Sequence, residues 1–247
     1  MKTLLLTSLI SVFSTPAFAQ KSDSIKQVPK AKAHFRTSLR FHNAGQFQFG
    51  GRMVSTNPGM DVSFNYDRPA WGFVLFKAQD LVNSNTGFNF MLAAFNKNFK
   101  IGKRLTLTPT VGALLEQSHT FSDYGSDVAL IMFANYKLSK KVNLEYATLF
   151  GNFVVTPEEK DWVNRLRLTY THHHIDVILS GWHNNHVFDP YDYVTYSASV
   201  FYNRVKIADH LFWQAGVTCL RMPQTSDEKE YPTTHGLYFT TGITFAN

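Results

Sequence analysis

Cysteine is almost missing from this chain: Cys219 is the only one in 247 residues. No internal disulfide framework can therefore staple the fold. Also missing is any apolar run of the roughly twenty residues that a membrane-spanning helix needs. There is no glycine-rich phosphate cradle, paired-carboxylate motif or thiol redox motif, so no cofactor is expected. Charge of one sign is not concentrated. The 24 Lys and Arg against 18 Asp and Glu make a mildly basic chain, which is weak support for a nucleic-acid partner.

The chain does begin like an exported one. Lys2 supplies a positive start, Leu4 to Phe13 an apolar middle, and Ala17-Phe18-Ala19 a small-x-small cleavage site. Residues 1–19 are thus expected to be a signal peptide with Gln20 the first mature residue. Export further argues against nucleic acid. No cysteine stands near the cleavage point, which disfavours a lipid-anchored lipoprotein. Residues 20–34 are polar, charged and without periodicity, and read as a flexible periplasmic lead. From 35 to 247 nothing resembles a linker, so one domain is expected there.

Aromatic residues are abundant, with 22 Phe, 11 Tyr and 4 Trp, yet mean hydropathy is slightly negative. A transmembrane β-barrel reconciles the two, because one face of each strand meets hydrocarbon and the other a polar lumen. The pattern agrees. Leu105, Leu107, Val111, Ala113 and Leu115 share one face against Thr106, Thr108, Thr110 and Gly112. Val128 to Leu138, Val142 to Phe153, Trp162 to His172, His174 to Asn184, Val194 to Asn203, Leu211 to Cys219 and Leu237 to Phe245 repeat the alternation. Side chains change face at every residue of a strand, so period two identifies strands.

The first third is less regular. Gln46–Val54, Met60–Tyr66, Ala70–Lys77 and Thr86–Phe99 are candidate strands, with turns at Asn57-Pro58-Gly59 and Asp67-Arg68-Pro69. Phe35–Phe41 is either a further strand or the start of a bent first one. Counting from Gln46–Val54 gives an all-β antiparallel barrel of 12 strands; ten and fourteen stay open. Short connections near 100–103, 139–141, 172–174 and 206–209 alternate with longer ones at 118–125, 155–161, 184–191 and 222–235. That asymmetry of the two rims sets a barrel apart from a secreted β-sandwich, the rival architecture. Trp162, Trp213, Tyr136, Tyr146 and Tyr202 on the apolar face would form girdles at the two membrane interfaces.

The signal peptide, the alternating hairpins and the last strand Gly236–Phe245, with Phe245 two positions before the end, resemble the outer-membrane β-barrel class of Gram-negative bacteria. The resemblance implies residence in that membrane, contact with its lipid, and handling by the barrel-assembly machinery, which commonly reads an aromatic near the C-terminus. Ala246 and Asn247 follow the aromatic here, a departure from the commonest ending. No specific functional family is matched.

If the Leu and Val stripes face lipid, their opposites face the lumen. Glu116, Lys137, Glu145, Arg165, Arg167 and Asp176 are then lumen or ligand candidates, with a cross-strand pair expected between the arginines and Asp176. Met91, Phe95, Ile131, Phe133, Leu149, Phe153 and Ile178 would narrow the interior. Trp182, His183 and Tyr193, near Asn184, Asn185, His186, Asp189 and Tyr191, form a polar, aromatic mouth at the longer-loop rim, suited to a sugar or other polar ligand. His172-His173-His174 lack a carboxylate at useful spacing, and no metal is expected there. Serines lie near histidines (Ser38 with His34 and His42, Ser118 and Ser122 around His119), but no pattern fixes a catalytic pair. The reading that follows is a barrel for passive transport of a small polar solute. A filled barrel serving as anchor or interaction surface is the alternative, and a membrane-embedded lipid hydrolase a third.

Overall fold

The computed structural model describes residues 33–47, 52–55, 57–82, 89–116, 127–151, 161–186, 192–225 and 235–247. The expected signal peptide, most of the lead, and the candidates Ser118, His119, Ser122 and Phe153 lie outside the described residues. Among the described residues no helix is long and apolar enough to cross a membrane, and every regular element is a strand.

They are β1 (His34–His42), β2 (Gly45–Phe47), β3 (Arg52–Ser55), β4 (Gly59–Asp67), β5 (Trp71–Asp80), β6 (Asn89–Lys97), β7 (Phe99–Ile101) and β8 (Leu105–Glu116). After these come β9 (Asp127–Lys137), β10 (Val142–Phe150), β11 (Asp161–His172), β12 (Ile175–His186), β13 (Asp192–Ala208), β14 (Leu211–Thr225) and β15 (His235–Ala246). One antiparallel sheet runs β6-β5-β4-β1-β15-β14-β13-β12-β11-β10-β9-β8, and a β6–β8 pairing closes it. β7 continues β6 along β8, so the wall has 12 staves. Closure removes every free strand edge, which hydrocarbon does not tolerate.

The count agrees with the sequence reading, but one stave differs. Gln46–Val54 is not in the wall: β2 and β3 pair only with each other as a separate hairpin. The first stave is β1, which pairs with β15 from Arg36↔Ala246 to His42↔Thr240 and with β4 from His34↔Asp67 to His42↔Gly59. Alternating Gln and Phe in 46–49 has the period of a wall strand, and periodicity alone cannot tell a separate hairpin from a stave.

Five short turns, at 68–70, 102–104, 138–141, 173–174 and 209–210, share one rim with residues 33 and 247. The longer connections share the other, as the sequence predicts. Gly102 in the second turn has φ +63 and open space around it, a left-handed position that suits glycine. His173 and His210 adopt the same region (φ 50 and 62) in their turns without that freedom.

Apolar side chains face outward. Leu130, Leu166, Leu179, Val200, Phe239 and Ile243 are exposed large hydrophobics, the arrangement expected where lipid is the solvent. Staves of nine to 17 residues, tilted at about 40°, cover a hydrocarbon band roughly 25 Å tall. The aromatic girdles are present. Near the short-turn rim Tyr66 meets Trp71 at 5.4 Å, Phe35 meets Phe245 at 5.6 Å and Tyr202 meets Trp213 at 6.4 Å. Near the other rim Phe150 stacks on Trp162 at 5.6 Å, and Trp162 Nε1 donates to Thr148 Oγ1 at 2.8 Å. The lone thiol of Cys219 is exposed on the outer face.

Two residues expected to narrow the interior face the other way. Phe95 is 53% exposed and stacks on Trp71 at 5.7 Å. It pairs with Val111, an outward residue, while its neighbours Ala94 and Asn96 pair with Gly112 and Thr110 inside. Met91 is outward for the same reason, and the register slips between it and Leu92. Ile131, Phe133, Leu149 and Ile178 do face inward, as their register with buried Ala147 and Ser180 requires.

Candidate functional site: the charged inner wall

The inner face carries hydroxyl, amide and charged rungs among apolar ones. Ser38 and Ser63 share a hydrogen bond of 2.7 Å, Ser199 and Thr218 one of 2.8 Å, and Asn184 Nδ2 donates to the Tyr193 hydroxyl at 3.0 Å. Three charged clusters are set among them.

The first lies mid-wall on β10 and β11. Glu145 stands opposite Arg167 and one rung from Arg165. Arg165 Nη2 donates to Glu145 Oε1 at 2.7 Å, and Arg167 Nη1 lies 3.9 Å from the same oxygen. One carboxylate thus serves two guanidiniums. Towards β12 and β13 the rung continues through Trp182, opposite both Arg165 and Thr195. Trp182 is 4% exposed, and Tyr193 and Thr195 are 1% and 0%. Arg167 Nε, Trp182 Nε1, Asn184 Oδ1 and Thr195 Oγ1 are buried without a hydrogen-bond partner in the protein, so this wall offers unused polar capacity.

The second cluster corrects an expectation. Asp176 does not pair with Arg165 or Arg167. It stands opposite Thr171, at the turn end of the hairpin, whereas Arg165 stands opposite Trp182. Its partner is Arg204, whose Nη1 and Nη2 donate to the two carboxylate oxygens at 3.0 Å each, with Asn203 Nδ2 adding a bond of 2.6 Å. Arg204 reaches it because the β13–β14 register is interrupted between Tyr202 and Val205, and Arg204 takes φ 59. A bulge re-aims a side chain that strict alternation would turn outward.

The third cluster was not anticipated. Arg40 Nε donates to Asp61 Oδ1 at 2.8 Å. His42 bridges Asp61 Oδ2 at 2.7 Å and Thr240 Oγ1 at 2.9 Å. Asp61 is 3% exposed. The cluster knits β4, β1 and β15, across the seam that joins the first stave to the last. Arg40 and His42, two apart, share a face of Phe35–Phe41 extended by one residue, so accepting that segment as a stave would have exposed the signal. Among the described residues the proximity of Ser38 to His34 and His42 does not become a contact: His42 bonds Asp61 and Thr240, Ser38 bonds Ser63, and His34 Nδ1 meets the Asn247 carbonyl at 3.2 Å.

Of the remaining candidates, Lys137 is exposed at the short-turn rim opposite Asn143. Glu116 ends β8, and its side chain lies outside the described residues. Tyr193 faces inward beside Trp182. His183 does not join them, because alternation turns it outward, where Nε2 lies 3.4 Å from Asp192 Oδ2.

No protein-family model and no curated protein matches the sequence. Solved structures are similar in fold. One is described as the KdgM porin, with a TM-score of 0.56 at 7% identity, covering 86% of this chain and 98% of that one. Another is the NanC porin, with a TM-score of 0.50 at 9% identity over 87% of this chain and 99% of that one. The chain has the porin-like β-barrel fold of Gram-negative outer membranes.

Proposed function

We propose that this chain is a slender passive channel that lets small polar solutes cross the outer membrane down their gradient. In this reading residues 1–19 direct export, residues 20–34 form a periplasmic lead, and the assembly machinery inserts the barrel. The observation that carries the reading is the division of the wall. The described staves turn apolar residues outward, and β1, β4, β11, β12 and β13 turn polar rungs inward, where polar atoms of Arg167, Trp182, Asn184 and Thr195 are buried without a partner in the protein. Solute contacts are assigned to Glu145, Arg165, Arg167, Trp182 and Tyr193, with Lys137 and Asp176 at the short-turn mouth. The fold likeness to two proteins named porins supports the class of function and carries no solute with it.

A planar bilayer tests this. Purified, folded protein should give reproducible unitary current steps, and Glu145→Gln should move the reversal potential in a salt gradient towards anion selectivity. A second reading, a filled barrel that anchors its loops, is favoured by Leu220 and Thr195, both at 0% exposure on the inner face. Electrical silence from protein that is demonstrably folded would overturn the channel in favour of the anchor.

A further inference from the structure

We infer that one arc of the short-turn rim is a binding surface for anionic phospholipid headgroups of the leaflet that rim faces. Three successive turns make the arc. The turn at 102–104 is tied to the next stave by Lys137 N donating to Arg104 O at 2.9 Å. The turn at 138–141 is tied onward by Thr171 N donating to Lys141 O at 2.8 Å, and Lys141 Nζ lies 3.2 Å from His172 Nδ1. Lys100, Lys103, Arg104, Lys137, Lys140 and Lys141 are all exposed on it. No Asp or Glu occurs in 97–104 or 137–143. Among the described residues none of these cations has a carboxylate within ion-pair distance; Glu145, the acid next along β10, is engaged by Arg165.

Charge alone would fit any polyanion. What selects a lipid is the apolar surface beneath the charge. Phe99, Ile101, Tyr136 and Leu138 are exposed on the outer face next to these turns. Lys97 Nζ lies 5.2 Å from the Phe99 ring centre, a cation held over an aromatic ring where the hydrocarbon ends. A headgroup phosphate against the turns would place its acyl chains along that outer face. A soluble anion uses only the first half of this arrangement. Basic clusters just outside the hydrocarbon are the usual recognition element for anionic headgroups.

Elsewhere on the same rim the cations are held differently. Lys206, across the ring, pairs with Asp209 at 2.6 Å, and Arg68, in the turn before this arc, is held by the Tyr66 hydroxyl at 2.9 Å and the Trp71 ring. The positive surface is therefore local, not a general property of the turns.

The test uses the full chain, folded in nanodiscs of equal phosphatidylglycerol and phosphatidylcholine, with retained lipids counted by native mass spectrometry after mild extraction. Wild type should retain phosphatidylglycerol over phosphatidylcholine by roughly tenfold, falling as salt rises. The combined variant K103Q/R104Q/K140Q/K141Q should bring the ratio near one. K103R/K140R/K141R should keep the enrichment, as should Lys206→Gln. If the neutral variant fails to fold, the salt dependence of wild type decides. Equal retention of the two lipids by wild type, or undiminished enrichment in the folded neutral variant, would overturn the inference. So would full displacement by free glycerol phosphate at the same phosphate concentration, which would assign the arc to soluble anions.

Discussion

The seam where β1 meets β15 and the wall from β9 to β12 build the same surface by different means. Along β9 to β12 each stave is joined to the next by the chain, and register follows from turn geometry. At the seam the paired residues are some two hundred positions apart, so no turn sets the register and the closure entropy is that of the whole barrel. The charged clusters differ accordingly. Glu145 shares one carboxylate oxygen between two arginines mid-wall, on staves that a connection in the chain already joins. Asp61 is enclosed by Arg40 and His42, with Thr240 completing the bridge, and ties three staves together. The second cluster holds register where connectivity does not.

Substitutions can break that contrast. Gly242→Ala should have the largest effect. A Cβ there would collide with the Leu39 carbonyl oxygen and lie 2.9 Å from Arg40 Cα, and backbone cannot swing aside as a side chain can. The cost should reach or exceed the top of the roughly 1–3 kcal/mol usual for overpacking, read as loss of the heat-resistant folded band on unboiled electrophoresis. Gly216→Ala is the internal control, because its new Cβ meets the movable Phe201 ring; it should fold.

Asp61→Asn comes next. It removes the charge between Arg40 and His42 and should lower stability by about 2 kcal/mol, below the range for a dry buried pair because a barrel interior admits water. The urea midpoint in detergent checks it. Glu145→Gln should cost less, about 1 kcal/mol, since the arginines already exceed their carboxylate; its larger signature is the selectivity change described above. Equal stability losses for Asp61→Asn and Glu145→Gln would erase the distinction between seam and wall. Arg204→Gln should be smallest, no more than about 0.5 kcal/mol, because Arg204 is half exposed at a rim where solvent screens the pair.

The stretch from Leu105 to Phe245 was readable from sequence because each stave writes its two solvents into alternate positions. Leu107, Leu130 and Val200 stand on one face; Thr108, Ile131 and Ser199 stand on the other. The inner face is mixed enough that only the outer stripe is unmistakable. For the same reason Phe95 was placed inside: flanked by alanine and asparagine in an apolar segment, it looks alike under either parity. β1 stays ambiguous between a further strand and the start of a bent first one, because its inward residues are His34, Arg36, Ser38, Arg40 and His42, a polar series that continues the polar lead. The mid-wall charges Glu145, Arg165 and Arg167 were found by parity. Their pairing was not, since a partner depends on which neighbouring stave brings an acid to the same level.

From its residues alone this chain determined that it is made of strands with an apolar outer face and a mixed inner one, joined by short and longer connections in alternation. Those properties follow from local composition and a period of two, which every hairpin repeats. Only the tertiary structure decided which segment closes the barrel, that Asp176 takes Arg204 and not Arg165, and that basic turns gather on one arc. Each of these depends on register between staves, on a bulge that reverses parity, or on neighbours distant in the chain. Such information belongs to pairs of strands and is not written in either one.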